Sequence, residues 1–236
     1  GALDAIATLL RAGANPNAAD AVGATPLIHA AAVGSADAVR ALLSAPRVNL
    51  DAASEHGSRA VDDTITSGHA DVLRELCRAG ASLDPPAAGA RPLLHTAVRT
   101  HTAEVVSVLV RHVFTNVNAG DPTTGGATAL HAAVSSNAPD AVLHALMAHP
   151  RVDINRRRDN GLTPLHDAAH LGRARATALL LARPDIDAGA ITERRTRSGA
   201  VRRMTAFDFA MRMEAPEAHL RVLVFLLKSG KVGTDC

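Results

Sequence analysis

Two histidines spaced four residues apart form the most chemically suggestive pattern in this chain of 236 residues. His166 and His170 flank Asp167 in the segment HDAAH, and on a helix both imidazoles would face the same side. The spacing is typical of the H-E-x-x-H helix of zinc proteases, in which the histidines bind the metal and the glutamate acts as the base. Here aspartate replaces the glutamate and no third ligand is apparent, so the pattern does not favour a metal site.

Two further groups of residues are of types that act in catalysis or metal binding in other proteins. Asp62 and Asp63 are adjacent, but neighbouring residues of a helix point about 100° apart and share a proton or an ion poorly. Cys77 and His69 contain a thiol and an imidazole, but Cys77 replaces the second leucine of a repeated Leu-Leu pair, which favours a buried apolar thiol. The chain contains no Gly-rich phosphate loop and no Ser-His-Asp arrangement. We therefore expect no catalysis, no metal and no cofactor.

The segment 159–172, with the sequence DNGLTPLHDAAHLG, recurs in weaker copies along the chain. Aligned on the threonine, the copies fall at Thr25, Arg59, Arg91, Thr128, Thr163 and Thr205. Successive copies are 34, 32, 37, 35 and 42 residues apart. A period in this range is typical of stacked repeat proteins, in which each unit buries its apolar face against its neighbours.

Each copy predicts a turn followed by two short helices. The pair Asn160-Gly161 favours a turn with positive φ. Thr163 suits a helix N-cap, and Pro164 suits the first helical position, where its missing N–H costs nothing. Gly172 suits a left-handed helix end. The expected core positions of this helix are Leu165, Ala168 and Ala169.

The wording G-x-T-P-L-H-x-A-A-x-x-G resembles the ankyrin repeat, whose signature includes T-P-L-H-x-A. The resemblance covers nearly every residue and implies an all-α fold, an ankyrin-repeat solenoid of stacked helix-turn-helix units with β-turn or finger loops. It also implies that the histidine of this motif, here His166 and His131, orders the turn by hydrogen bonds. The implied single domain, 1–236, divides into a half repeat 1–19, repeats at 20–53, 54–86, 87–120, 121–157 and 158–190, and a basic loop with a capping repeat at 191–236.

Composition agrees with this interpretation. The chain has no Trp, no Tyr and four Phe, so its core must consist of Ala, Leu and Val. No apolar run approaches the ~18 residues that a membrane span needs, and no signal-peptide pattern is present. Cys77 and Cys236 cannot form a disulfide framework, so we expect an intracellular protein, cytoplasmic or nuclear. The half repeat at the start suggests a segment of a longer protein.

The formal net charge of +2 hides an asymmetry. Residues 1–150 carry nine Arg and thirteen acidic residues, whereas residues 151–203 carry twelve Arg and six acidic residues. The basic part contains 156–158 and 194–197, followed by Arg202 and Arg203. A solvated connector is the simpler interpretation of these arginines, and a binding role is the alternative.

The resemblance implies that a partner contacts the turn tips and the exposed side of the first helices, which together line a concave face. The predicted groove residues are His29, Ala32, Val33, Asp63, Thr66, Ser67, His95, Val98, Arg99, Ser135, Ser136, Asp167, His170 and Leu171. The predicted residues of the turn tips and basic loop are Val22, His56, Arg158, Asn160, Arg194, Arg195 and Arg197. Small side chains along most of the groove leave room for an extended peptide or a helix.

We therefore expect a non-enzymatic, monomeric scaffold or adaptor that binds a protein or peptide partner on its concave face. One alternative is a regulatory repeat domain of a larger enzyme or channel. Another is binding of nucleic acid or of an acidic or phosphorylated partner through the basic part, near repeats five and six. The acidic first half and the lack of aromatic stacking groups weigh against nucleic acid. No membrane partner is expected.

Overall fold

The computed structural model describes residues 2–85, 87, 89–112, 115–195, 201–212 and 217–230. The chain divides into two compact units, Gly1–Thr115 and Asn116–Cys236, and each is described by itself. Both consist of antiparallel helix pairs joined by turns, and the predicted all-α class is confirmed, with two short β-hairpins in addition.

The first unit contains seven helices among its described residues. They are α1 (Ala2–Arg11), α2 (Pro26–Val33), α3 (Ala36–Leu43), α4 (Ala60–Ser67), α5 (Ala70–Ala79), α6 (Leu93–Arg99) and α7 (Ala103–Arg111). The first helices of successive repeats pack as a row, α2 on α4 and α4 on α6. The second helices form another row, in which α1, α3, α5 and α7 follow one another.

The second unit repeats this arrangement. Its elements are β1 (Gly120–Asp121), β2 (Ala127–Thr128), α8 (Ala129–Ser135), α9 (Asp140–Met147), α10 (Pro164–His170), α11 (Ala174–Leu181), β3 (Thr192–Arg195), β4 (Val201–Met204), α12 (Ala206–Met211) and α13 (Glu217–Lys228). The first-helix row is α8, α10 and α12, and the second-helix row is α9, α11 and α13.

Threonine caps begin most of the first helices. The hydroxyls of Thr25, Thr128, Thr163 and Thr205 each accept a hydrogen bond from the backbone amide three residues later, which satisfies one of the amides left open at a helix start. Most of the first helices are followed by a residue with positive φ, often glycine, as at Gly34 with a φ of 77°. Caps at both ends explain helices of only about two turns, because packing and not length stabilises them.

Small side chains fill the space between the first helices. Leu165, Ala168 and Ala169 are all at most 1% exposed, as the periodicity predicts. Longer chains such as Leu143, Leu146 and Leu180 fill the space between the two rows. The core therefore consists mainly of Ala, Leu, Val and Ile, and Phe209 is the only buried phenylalanine among the described residues.

Asparagine side chains join the ends of successive repeats within each unit. The amide of Asn155 donates to the Asp185 carbonyl at 2.7 Å, and its oxygen accepts from the Asp187 amide at 2.8 Å. Asn118 and Asn17 make the same two bonds to residues 30 to 35 positions later. Each asparagine thus satisfies a carbonyl and an amide where the chain has no secondary structure.

The third repeat begins one residue later than the alignment on Arg91 predicts. Pro92 is the residue before its first helix, α6, and makes no side-chain cap. After the helix, His101 has a positive φ of 58°, as Asn137 has at the equivalent position of the next repeat (54°). The corrected alignment makes His95 equivalent to His131 and Val98 equivalent to Val134. The error arose because Leu93 and Leu94 are both apolar, so either could have matched the single leucine of the motif.

The segment 191–203 was predicted as a basic loop, but part of it is a β-hairpin. β3 and β4 pair antiparallel, with Glu193 opposite Arg203 and Arg194 opposite Arg202. The charged sequence hides the strands, because it lacks the alternation of apolar and polar residues that marks a half-buried strand.

Candidate functional site

The motif histidines hold the turns through hydrogen bonds of their ring nitrogens. The Nδ1 atom of His166 lies 2.8 Å from the Thr163 hydroxyl, and its Nε2 atom donates to the Met204 carbonyl at 3.4 Å. His131 makes the corresponding bonds to Thr128 and to the Leu162 carbonyl. Burial lowers the pKa of His166, which keeps the imidazole neutral and suits this role.

His166 and His170 share an aromatic neighbour, Phe209. Each of the two rings lies edge-on to Phe209, with ring centroids 5.7 Å apart in both cases. Among the residues that the structure describes, no group of three or more His, Cys, Asp and Glu side chains could hold a metal ion.

The Asp62–Asp63 pair and the thiol of Cys77 were the other candidates for chemistry. Asp62 accepts hydrogen bonds from the Arg59 amide and guanidinium, whereas Asp63 accepts from the Ser58 hydroxyl, so the two carboxylates have different partners. Cys77 is half-buried, and burial raises the pKa of its thiol to about 11. The thiol therefore stays protonated at neutral pH and is a poor nucleophile.

Asp167 is buried, not exposed on the groove side as predicted. It is 3% exposed, and its Oδ1 atom accepts a hydrogen bond from the Arg158 guanidinium at 2.7 Å. Burial raises the pKa of the Asp167 carboxyl to about 6, because the loss of hydration outweighs the attraction of Arg158. The expectation was wrong because the arginine, nine residues earlier in the turn, covers the carboxylate.

Two other predicted groove residues, His95 and Val98, are buried because the one-residue shift of the third repeat places them at core positions. His95 is 2% exposed and Val98 is fully buried, so neither offers a surface to a partner in this structure. The remaining described groove residues are at least partly accessible. They are His29, Ala32, Val33, Asp63, Thr66, Ser67, Arg99, Ser135, Ser136, His170 and Leu171. Their role in binding stays a prediction.

The predicted turn-tip residues lie at both units. Val22 and His56 are exposed in the first unit, and Asn160 is exposed in the second, where Arg158 is partly buried. Arg194 and Arg195 lie in β3, and Arg197 lies outside the described residues. Within the first unit, the Nε2 atom of His29 lies 2.7 Å from the Asp20 carboxylate.

The second unit contains a cleft of about 810 Å³ that brings several of these residues together. One wall is the turn 157–162, another is the hairpin through Ile191, Thr192, Glu193 and Arg203, and the floor includes His170 and Phe209. We call this the unit-two cleft. It gathers Arg158, Asn160 and His170 from the predicted residues, with Asp167 behind Arg158.

Hydrogen bonds fix the walls of the unit-two cleft to each other. Arg157 donates from Nη1 to the carbonyls of Gly161 (3.0 Å) and Ile191 (2.8 Å). The Thr192 hydroxyl donates to the Asn160 carbonyl at 3.3 Å. The turn and the hairpin therefore form a connected frame, in which a site can be pre-organised.

The charged residues of this cleft that sequence reasoning did not predict as site residues are Arg157, Asp159, Glu193 and Arg203. The arginines were visible as a basic cluster, but their convergence depends on the hairpin, which the charge pattern hid.

The first unit has a smaller cleft on its second-helix side, about 470 Å³ in volume, between α5 and α7. Arg74, Arg78 and Arg111 line it together with Cys77 and Glu104. Arg74 and Arg78 are paired with Asp71 and Glu75 on their own helix, so their charges are already compensated.

Models of known repeat families match most of the chain. A model described as "Ankyrin repeats (3 copies)" matches residues 1–87, one described as "Ankyrin repeats (many copies)" matches 112–166, and one described as "Ankyrin repeat" matches 160–190. Among curated proteins, the Potassium channel AKT2/3 of Arabidopsis thaliana is 32% identical over 134 residues. The match covers 57% of this chain and 16% of the channel, so the chain spans a small part of that protein's length.

Solved structures are similar over nearly the whole chain. The human ASB11 ankyrin repeat domain superposes with a TM-score of 0.69 and 22% identity, covering 95% of this chain and 93% of that one. The ankyrin repeat domain of Bcl-3, a member of the IkappaB protein family, gives a TM-score of 0.71 and 22% identity, covering 95% and 91%. Identities this low establish the fold alone. Among the described residues, no helix has the length and apolar character needed to cross a membrane.

Proposed function

Because the chain belongs to the ankyrin-repeat family, we propose that it is a protein-interaction module that binds a protein or peptide segment along its first helices and turns. Ankyrin repeats are generally protein-interaction modules. The proposed surface of the second unit consists of the unit-two cleft and the exposed ends of α8 and α10.

The observation that carries this proposal is the unit-two cleft itself. It is large enough to take one or two side chains of a partner, and its frame is fixed by hydrogen bonds of Arg157 and Thr192. Beside it, Leu171 is 40% exposed at the end of α10. An exposed apolar side chain next to a pre-organised polar cleft is the composition expected of a binding hot spot with a polar rim.

The first unit adds a second exposed apolar position of the same kind. Val33, at the end of α2, is 79% exposed, and the neighbouring positions carry the small residue Ala32 and the polar residues Thr66 and Ser67. Small and polar side chains around one apolar residue leave the backbone of a partner room to approach.

The proposal is tested with a partner isolated by affinity capture on the full chain, and hydrogen exchange of the complex measures where that partner binds. We expect added protection at 157–171 and 191–193. Substituting Leu171→Asp should weaken the complex at least about tenfold, since a charge replaces a buried apolar contact. The control is Leu179→Asp, on the second helix α11 and half-buried, corrected for its effect on stability. Protection confined to the second-helix rows would refute the proposal.

A second candidate function is regulation within a larger protein, which the 134-residue match to a plant potassium channel favours. In that case the partner is another segment of the same polypeptide. Sequencing the coding region around this chain, and measuring binding of the neighbouring segments to it, separates this candidate from a free adaptor. Binding of no neighbouring segment would exclude it.

A further inference from the structure

Three guanidinium groups line the unit-two cleft, and they differ in how far other groups of the chain already pair with them. Arg157 donates from Nη1 to two carbonyls, which hold it in the frame of the cleft. Carbonyls orient the group but do not neutralise it, so its positive charge remains in the cleft. The role of Arg157 is therefore to join the walls and to add a positive potential.

Arg158 is held in place from behind. Its Nη2 atom donates to buried Asp167 at 2.7 Å, and its Nε atom is buried without a hydrogen-bond partner. A buried N–H without an acceptor is costly, and such groups in native proteins call for an explanation. The side chain is 26% exposed, so the guanidinium still reaches the cleft. The exposed part of the guanidinium can therefore donate to a ligand oxygen, whereas the buried Nε atom lies out of reach of one.

Arg203 lies on the opposite wall, in β4. Its strand partner is Glu193, and residues directly opposite in an antiparallel pair place their side chains on the same face. No hydrogen bond or ion pair of the Arg203 side chain occurs within the described part of the chain. An exposed arginine at the mouth of a cleft thus keeps its donors for an incoming group.

We infer that the unit-two cleft receives an acidic side chain of the protein partner, with the carboxylate bound by Arg158 and Arg203. This inference rests on the proposed function, whose site it makes specific. Guanidinium groups match a carboxylate in planar, two-point geometry. The apolar floor, with Leu162 and the buried ring of Phe209, contacts the methylene groups of the same side chain.

The charges of the cleft favour a carboxylate over a phosphate group. Glu193 lines the same cleft as the three arginines, and Asp167 neutralises part of Arg158. Asp159 also lines the cleft, although its carboxylate lies close to Gly126 in the preceding turn. Because Glu193, Asp159 and Asp167 together offset the three arginines, the cleft has no surplus positive charge for a phosphate dianion, whereas the donors of Arg158 and Arg203 can still bind one carboxylate. Phe209, the phenylalanine of the cleft, is buried, so nucleic acid would find no exposed phenyl ring there on which to stack.

The test uses the full chain and a short peptide of alternating Glu and Ala, with the Gln-for-Glu peptide as its uncharged counterpart. Binding is measured by fluorescence anisotropy, and the guanidinium Nε–H signals are followed by NMR. We expect saturable shifts of the Arg158 and Arg203 signals with the Glu peptide alone. Arg203→Ala and Arg158→Lys should each weaken binding about tenfold or more.

The matched control removes the same charge elsewhere in the unit. Arg175, on α11, is 87% exposed and lies outside the cleft lining, so Arg175→Ala should change affinity less than about twofold. Equal losses in all three variants would show unspecific attraction and overturn the inference. Arg158→Lys keeps the positive charge but loses the planar, two-point geometry of the guanidinium. An unchanged affinity in that variant would therefore overturn the inference as well.

The remaining outcomes identify other ligands. Two further probes are the same peptide with phosphoserine in place of Glu and a random duplex DNA. Tighter binding of the phosphoserine peptide than of the Glu peptide, or tighter binding of the DNA with a steep salt dependence, would each overturn the assignment to a carboxylate. If the Glu peptide does not bind while the captured partner still protects 157–171 from exchange, this inference fails and the proposed function stands. If neither occurs, both fail.

Discussion

At the scale of single residues, the contact between Gly34 and His69 shows how one repeat depends on the next. The His69 ring packs over Gly34, and its Nε2 atom donates to the Ala32 carbonyl at 3.2 Å. A Cβ added to Gly34 would lie 2.6 Å from the ring. Gly172 and His219 form the same pair in the second unit, with a Cβ position 2.9 Å from the ring. These glycines serve close packing as well as positive φ.

Substituting Gly34→Ala should therefore destabilise the first unit more than Gly13→Ala does. Both glycines have positive φ, 77° and 85°, but no atom lies within 4 Å of a Cβ at Gly13. The excess loss should be about 1–3 kcal/mol, the usual cost of overpacking. Urea unfolding of both variants measures it, and adding His69→Ala to Gly34→Ala should recover part of the excess. Equal losses in the two alanine variants would contradict the packing argument.

The raised pKa of Asp167 predicts a pH dependence of stability with a definite sign. The folded carboxyl has a pKa of about 6, above its ordinary value of 3.8, so folding takes up a proton between these values. Relative to Asp167→Asn, the unfolding free energy of the native chain should rise as the pH falls from 7 to 4, by at most about 3 kcal/mol. Urea unfolding at several pH values measures the difference. A constant difference across this window would show that Asp167 is not buried as described.

The hydrogen bonds of His166 predict how the melting temperature responds to zinc. Because its two ring nitrogens already contact Thr163 and Met204, micromolar zinc should leave the melting temperature unchanged. A ligand that binds the folded state must stabilise it by mass action, so thermal melting is a fair assay. A saturable one-to-one zinc shift that His170→Ala abolishes would restore the metal interpretation of the HDAAH segment.

At the scale of elements, the start of α4 differs from every threonine-capped helix in the chain. Arg59 stands where threonine caps the others, and its amide and guanidinium donate to Asp62. The Asp62 carboxylate thus performs part of the cap, as Asp208 does for Thr205, but α4 lacks the hydroxyl that accepts the third-residue amide. One amide of the first turn therefore relies on water.

Hydrogen exchange should consequently be faster at Arg59–Thr66 than at Thr163–Ala169. A weak unit of a repeat array opens before its neighbours, since stability is set repeat by repeat. The stretch Thr25–Ala31 of the same unit, whose helix has a threonine cap, is the matched control and should also exchange more slowly than Arg59–Thr66. Similar protection in the three segments would show that the Arg59–Asp62 pair replaces the threonine cap fully.

An element could be predicted from the sequence where the residues within it specify its start and end. Thr163, Pro164 and Gly172 specify a helix start and end through their own backbone preferences, so α10 was predicted at its true position. The β3–β4 hairpin has no such local code, and the alignment of α6 failed at two adjacent leucines. Arg157, Arg158 and Arg203 could be predicted as a charged cluster, but their shared cleft could not, because it depends on the pairing of the hairpin.

At the scale of the whole molecule, charge is distributed unevenly along the sequence. Residues 151–203 carry a net charge of +6 and residues 1–150 a net charge of −4. Such an asymmetry acts mainly on the rate of association with a charged partner. The described arginines of the basic part also include Arg183, which pairs with Asp185, so local compensation reduces the field.

Replacing Arg158, Arg194, Arg195 and Arg197 together with alanine should therefore slow association with the captured partner and flatten its salt dependence. Long-range attraction is screened over about 8 Å at physiological ionic strength, so the variant and the native chain should associate at similar rates in high salt. Stopped-flow measurements over a salt series test this, with Arg40→Ala and Arg74→Ala as charge-loss controls in the first unit, where both arginines are exposed. If association is unaffected while Leu171→Asp abolishes binding, the basic segment serves only as a connector, and the partner is recognised by contacts on the first helices.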